Sequence, residues 1–153
     1  MFGFLFSPQN PTKDWCPSAA LQLAFDMSDA RLNDVSLGES VDRLSFLGPV
    51  EGSGGLPSEL CYFTLGLCGD YDPADRTITA CRLVHQDARD DRFRPFSGDI
   101  QWNSTRIDLE ELTEAQVFDR FGQPYWKDQD DKESILFYEF TGLEWQFEFD
   151  PQS

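Results

Sequence analysis

The apolar positions along this chain change their period several times, and the changes mark its elements. In TEAQVFDRFGQP, starting at Thr113, Val117, Phe118 and Phe121 recur at helical intervals. Thr113 and Gln116 have capping-box spacing, and Leu112 and Val117 that of a hydrophobic staple. Gly122, able to take the left-handed conformation that ends a helix, and Pro124 stop the run. The pattern predicts a helix of about nine residues, too short to persist unless its Phe face packs on something. The period then falls to two. Leu143, Trp145, Phe147 and Phe149 alternate with Glu144, Gln146 and Glu148, which predicts a strand with one apolar face and one wet, acidic face. The β-rich run over 135–140 joins it through Thr141-Gly142 as a hairpin.

The first half reads in the same order. A strand is expected over 21–26, a turn at 27–30, and a return strand over 31–37 carrying an Asn-Asp turn or bulge. A helix follows over 40–47 with Val41, Leu44 and Leu47 on one face, stopped by Gly48-Pro49. Val41, Leu44, Leu47 and Gly48 align with Ala115, Phe118, Phe121 and Gly122 at one displacement. Leu60, Tyr62, Gly66 and Leu67 align with Leu136, Tyr138, Gly142 and Leu143 at a displacement two residues longer, the change falling in the loop between helix and sheet. Upstream, strands over 99–102 and 105–109 answer those over 21–26 and 31–37, with a shorter turn at Asn103-Ser104. The expectation is an internal duplication in an α+β chain, two tandem units each made of a short capped helix on an antiparallel sheet. An irregular, Pro-rich segment covers 1–19, the first unit 20–85, a charged linker 86–96, and the second unit 97–151, together one compact domain. The first unit has an extra strand over 77–84, and Phe93, Pro95 and Phe96 dock the linker before the second begins.

Composition narrows the function. Fourteen Phe, four Trp and four Tyr in 153 residues suffice for a core despite a net charge of −16. That charge argues against nucleic acid and anionic membrane as partners and permits a basic protein. It is uneven, with 14 acidic and 4 basic residues over 99–153. No apolar run approaches the length of a bilayer span. The apolar N-terminus has no basic region before it, reads as a stray strand or docked tail rather than a signal peptide, and leaves the cytoplasm as the expected location.

Catalytic motifs are not found. Cys81 and His85 fall on one face of a predicted strand but too far apart for contact. Asp70, Asp72 and Asp75 lack the Gly and closing Glu of a calcium loop, and Gly52-Ser53-Gly54-Gly55 lacks the Lys-Ser/Thr of a phosphate loop. Cys16, Cys61, Cys68 and Cys81 form no CxxC, and His85 is the only histidine, so no metal or cofactor is expected. Cys61 and Cys68 can face each other across a tight hairpin; the reading adopted is buried free thiols. The candidate site is a partner-binding rim of Tyr125, Trp126, Asp128, Asp130 and Asp131, where aromatics supply contact area and acids steer a basic partner. The other reading of Trp126 packs it back on the helix. The corresponding loop over 50–58 has neither aromatics nor many charges.

The doubled unit and the motif T-x-x-x-V-x-x-x-F-G-x-P (Thr113, Val117, Phe121, Gly122, Pro124) resemble a known fold. It is shared by the β-lactamase inhibitor protein, a tandem duplication of such a unit, and by the small lipoprotein of the outer-membrane barrel-assembly machinery. Separately, LNDVSLG from Leu32, FRPF from Phe93, FGQPYW from Phe121 and LEWQFEFD from Leu143 look like segments of a bacterial family with no known activity. The chain is expected to carry neither a lipoprotein signal nor a signal peptide. What these features imply is a non-catalytic module of immunity or inhibitor type whose acidic second half caps a basic protein. The alternative is a small-molecule-binding or enzymatic domain using a cleft between the halves, lined by Tyr62, Tyr138 or His85, and a third is a purely structural role.

Overall fold

The computed structural model describes residues 10–53, 55–85 and 90–150. The apolar run at 1–9, Gly54, the 86–89 part of the expected linker and residues 151–153 lie outside the described residues. The chain is α+β and divides into two compact units, Met1–Asp26 with Ala30–Asp99, and Met27–Asp29 with Ile100–Ser153. No helix among the described residues is long and apolar enough to cross a membrane.

The first unit opens with β1 (Ala24–Asp26), β2 (Arg31–Leu32) and β3 (Val35–Ser36). The return strand expected over 31–37 is a short ribbon that pairs Leu32 with Val35 around the expected Asn33-Asp34 turn. Asn33 makes the turn at φ 55°, a conformation Asn tolerates better than most residues. Its side chain accepts the Ala24 N–H at 2.8 Å and donates to the Gln22 carbonyl at 3.1 Å, tying the ribbon to β1. Next comes a 3-10 helix, Val41–Leu47, where an ordinary helix was expected. Val41, Leu44 and Leu47 are its buried residues, and their strict spacing of three matches the three residues per turn of this helix. β4 (Glu59–Tyr62), β5 (Leu67–Tyr71) and β6 (Ile78–Leu83) form an antiparallel sheet in that order.

The segments on either side of this sheet are part of the unit. Thr12, fully buried, accepts the Val50 N–H through Oγ1 at 2.9 Å. Phe93 packs beside Cys61, Phe63 and Cys68, while the Arg94, Phe96 and Ser97 N–H groups donate to the carbonyls of Phe63, Val84 and Leu65.

In the second unit β7 (Asp99–Trp102) and β8 (Thr105–Ile107) turn at Asn103-Ser104, both at positive φ, the signature of a type I′ hairpin. α1 (Glu114–Phe121) has its capping box in place: Thr113 Oγ1 accepts the Gln116 N–H at 3.3 Å and Gln116 Oε1 accepts the Thr113 N–H at 2.8 Å. β9 (Trp126–Gln129), β10 (Ser134–Phe140) and β11 (Leu143–Phe149) form a three-stranded antiparallel sheet with β10 central. Val117 of α1 and Leu136 of β10 are fully buried in its core. Phe121 lies within 5.2–6.1 Å, ring to ring, of Trp102, Phe147, Phe140 and Tyr138. This burial holds a helix too short to be stable in water.

The Val41–Leu47 helix and α1 end alike. Gly48 (φ 82°, ψ −169°) and Gly122 (φ 79°, ψ −158°) occupy a region open essentially only to glycine. It is an extended mirror-image conformation rather than the left-handed helical one expected at Gly122. Each glycine carbonyl accepts a tyrosine hydroxyl from the neighbouring sheet, Gly48 from Tyr62 at 3.0 Å and Gly122 from Tyr138 at 2.8 Å.

Candidate protein-interaction face

Residues 126–129, read from the sequence as part of a loop, form the edge strand β9, all four of them exposed. Its register on β10 decides which side chains look outward. Trp126 lies opposite Phe137, Lys127 opposite Leu136, and Asp128 opposite Ile135. Opposed residues in an antiparallel pair share a face. Lys127 therefore belongs to the helix side, where its Nζ pairs with Glu114 of α1, while Trp126 and Asp128 belong to the other side. Glu114 also accepts from Ser134 Oγ at 3.0 Å, and these bonds, Lys127 first, hold its carboxyl below the ordinary carboxylate value.

The hairpin of β10 and β11 completes the outer face. Its register sets Ile135 against Glu148, Phe137 against Gln146 and Glu139 against Glu144. The face is thus a small grid with Asp128–Ile135–Glu148 in one row, Trp126–Phe137–Gln146 in the next, and Glu139–Glu144 in the third. Tyr125, just before β9, places its ring 6.4 Å from that of Phe137. Tyr125 and Trp126 are 59% and 61% exposed, so the reading in which Trp126 packs back on the helix does not hold.

Carboxylates surround this aromatic centre. Glu144 accepts from the Tyr125 hydroxyl and from Gln146 Nε2, the latter at 2.7 Å, and both bonds lower its pKa. The same contact raises the Tyr125 pKa, because the phenol donates to an anion. Among the described residues no Lys or Arg pairs with Asp128, Glu139, Glu144 or Glu148. Glu139 and Glu144 directly oppose each other, an arrangement of like charges that weakens a sheet.

The five residues singled out from sequence are divided by the fold. Tyr125, Trp126 and Asp128 join the outer face. Asp130 and Asp131 lie in the β9–β10 turn, where the Asp130 carboxylate accepts the N–H groups of Lys132 and Glu133 at 2.7 and 3.0 Å. Asp130 is thereby committed to holding the turn. Sequence reading missed Ile135, Phe137 and Glu139 as members of the site and took Glu144 and Glu148 only as the wet side of a strand.

Two of the residues offered for a cleft serve elsewhere. Tyr62 and Tyr138 are 2% and 3% exposed, and both hydroxyls are occupied by the glycine carbonyls. Burial raises both pKa values, so these phenols are poor acid–base groups. A pocket in the first unit, bordered by Phe25, Leu44, Leu60, Tyr62 and Ile78, encloses about 20 Å³ and exposes only apolar surface, room for about one water. Glu59, Cys61 and Cys68 bring one potential metal-ligand atom each within 4.8 Å of one another. The Arg82 guanidinium already bonds two of them, Glu59 Oε1 at 3.3 Å and Cys68 Sγ at 3.4 Å.

No protein-family model matches the chain, and no curated protein or solved structure matches it significantly.

Proposed function

We propose that this chain is a non-catalytic interaction module, of immunity or inhibitor type, that uses the outer face of β9, β10 and β11 to bind a basic protein. One observation carries the reading: Trp126 and Phe137 lie side by side inside a rim of Asp128, Glu139, Glu144 and Glu148 that pairs with no cation among the described residues. Aromatics provide rigid contact area at low entropic cost, and the ring faces attract Arg or Lys. The carboxylates speed encounter with a positive surface and reject negative ones. A cation between Glu139 and Glu144 relieves a repulsion that the free protein bears, so part of the partner's affinity is stored in the sheet.

We also infer that the two units are copies of one ancestral part, the relation that the likeness to the tandem β-lactamase inhibitor protein implies. What supports this is the repeated clasp, a helix ending on a mirror-extended glycine whose carbonyl takes a hydroxyl from a tyrosine on the first long strand of the following hairpin. In this reading the clasp is shared scaffold and the acidic aromatic face belongs to the second copy alone.

The test is selection from a displayed library of small folded domains against the immobilised chain. Selected binders should be rich in Arg and Lys and should lose affinity for Trp126→Ala and for Glu139→Lys. Binders without a basic bias, or binders indifferent to both substitutions, would overturn the reading.

A further inference from the structure

The first unit contains chemistry that the interaction face does not use. Cys61 on β4 lies directly opposite Cys68 on β5. The backbone of Cys61 is occupied on the far side of β4: its N–H donates to Gly52 at 3.0 Å, and its carbonyl accepts from the Gly52 N–H at 3.3 Å. Cys61 and Cys68 are therefore a non-hydrogen-bonded pair of the β4–β5 ladder, the class whose Cα atoms approach to about 4.5 Å with side chains closest. That separation falls within the ~4.4–6.8 Å a disulfide requires. Their sulfurs lie within 4.8 Å of each other, and both thiols are free. Cys81 differs, because it lies opposite Gly69, and Cys16 is exposed.

We propose that Cys61 and Cys68 are a redox-modification site that closes into a cross-strand disulfide on exchange with a low-molecular-weight disulfide such as oxidised glutathione. In the first step the Cys68 thiolate attacks one glutathione sulfur, forming a mixed disulfide and expelling one glutathione thiolate. In the second, the Cys61 thiolate attacks Cys68 Sγ, the new S–S bond forms, and the second glutathione leaves. The two thiol protons end on the two glutathiones; the pair is oxidised by two electrons and glutathione disulfide is reduced by two. Arg82 Nη2, 3.4 Å from Cys68 Sγ, places a fixed positive charge beside the sulfur that acts first as nucleophile.

The pair is covered. Cys61 is fully buried and Cys68 nearly so, with Phe93 packed against them. Phe93 meets the Phe63 ring edge-on at 4.9 Å, and the Arg92 guanidinium lies 4.1 Å over that ring. Burial also raises the Cys61 pKa, so exchange proceeds from states in which the cover has lifted. Speed is set by the cover and linkage by the register.

The experiment equilibrates the full chain in mixtures of oxidised and reduced glutathione, traps remaining thiols with an alkylating reagent in denaturant, and maps the peptides by mass. The expected product is lighter by two hydrogens, joins Cys61 to Cys68, and reverts with dithiothreitol. Phe93→Ala should reach the same product severalfold faster. Recovery of both cysteines alkylated, or of each bearing glutathione without an internal link, would overturn the proposal. So would one tightly held zinc per chain that blocks oxidation, which would assign Glu59, Cys61 and Cys68 to a metal. The decisive measurement uses the unaltered chain, so its outcome does not depend on whether Phe93→Ala folds.

Discussion

The Tyr138 hydroxyl donates a 2.8 Å hydrogen bond to the carbonyl of Gly122, joining the end of α1 to the middle of the sheet beneath it. In the first unit Tyr62 makes the same bond to Gly48, but there the glycine is buried, whereas Gly122 is exposed. Water can replace the lost donor at Gly122 and cannot at Gly48. Tyr138→Phe should cost ~0.5–1.5 kcal/mol and Tyr62→Phe ~1–3 kcal/mol, the larger figure reflecting a buried carbonyl left without a partner. Urea denaturation of the two variants checks the order.

The glycines themselves give a second ordered pair. Gly122 has open space where a Cβ would stand, so Gly122→Ala exacts only the backbone strain, ~1–3 kcal/mol. At Gly48 the added Cβ would also stand 2.9 Å from Pro17 Cδ, and Gly48→Ala should be the more damaging substitution by the same denaturation measurement.

Acid should loosen the edge strand. The Glu114 carboxyl is held below its ordinary value of 4.5 by Lys127 and by Ser134. Its contribution to stability is therefore complete above that value and is lost as pH falls through the lower folded one. Hydrogen exchange at the amides of β9 should rise on that acid limb relative to the centre of β10, and Glu114→Gln should flatten the difference.

Glu139→Gln removes one of two opposed like charges, so it should raise the urea midpoint. The same change should weaken capture of the basic domains obtained by selection. A stability gain with a binding loss is the pattern of a residue kept for function. For the unaltered chain, that capture should slow as salt is raised from low to physiological strength, since the rim carboxylates are exposed and screened.

The elements with strong local signals were legible. Thr113, Gln116, Leu112, Val117 and Gly122 delimit α1 by caps and staple alone, and Thr141-Gly142 marks its hairpin. Val41–Leu47 was legible as a helix but not as a 3-10 helix, because Ala115, Phe118 and Phe121 keep the same spacing of three in an α-helix. β9 was not legible because WKDQ has no apolar alternation; it becomes a strand through pairing with β10, and its inward position is taken by Lys127 facing Glu114. The outer face was half legible. Tyr125 and Trp126 stood out by type, but Ile135 and Phe137 sit in the apolar run ILFY, where period gives no hint of which side faces out. Counting back from the turn would have placed them opposite Glu148 and Gln146.

That count has a wider consequence. Thr141 and Gly142 both take positive φ in a two-residue turn, which locks Phe140 to Leu143 and every later pair behind it. The arrangement is one of parity. A one-residue slip of β11 along β10 would send Glu144, Gln146 and Glu148 toward Val117 and carry Trp145, Phe147 and Phe149 into water. The turn at 130–133 bears no such constraint on β11. Descendants of this sequence are thus free to vary the length of the β9–β10 turn, while the tip of the next hairpin must keep a turn that holds Phe140 opposite Leu143.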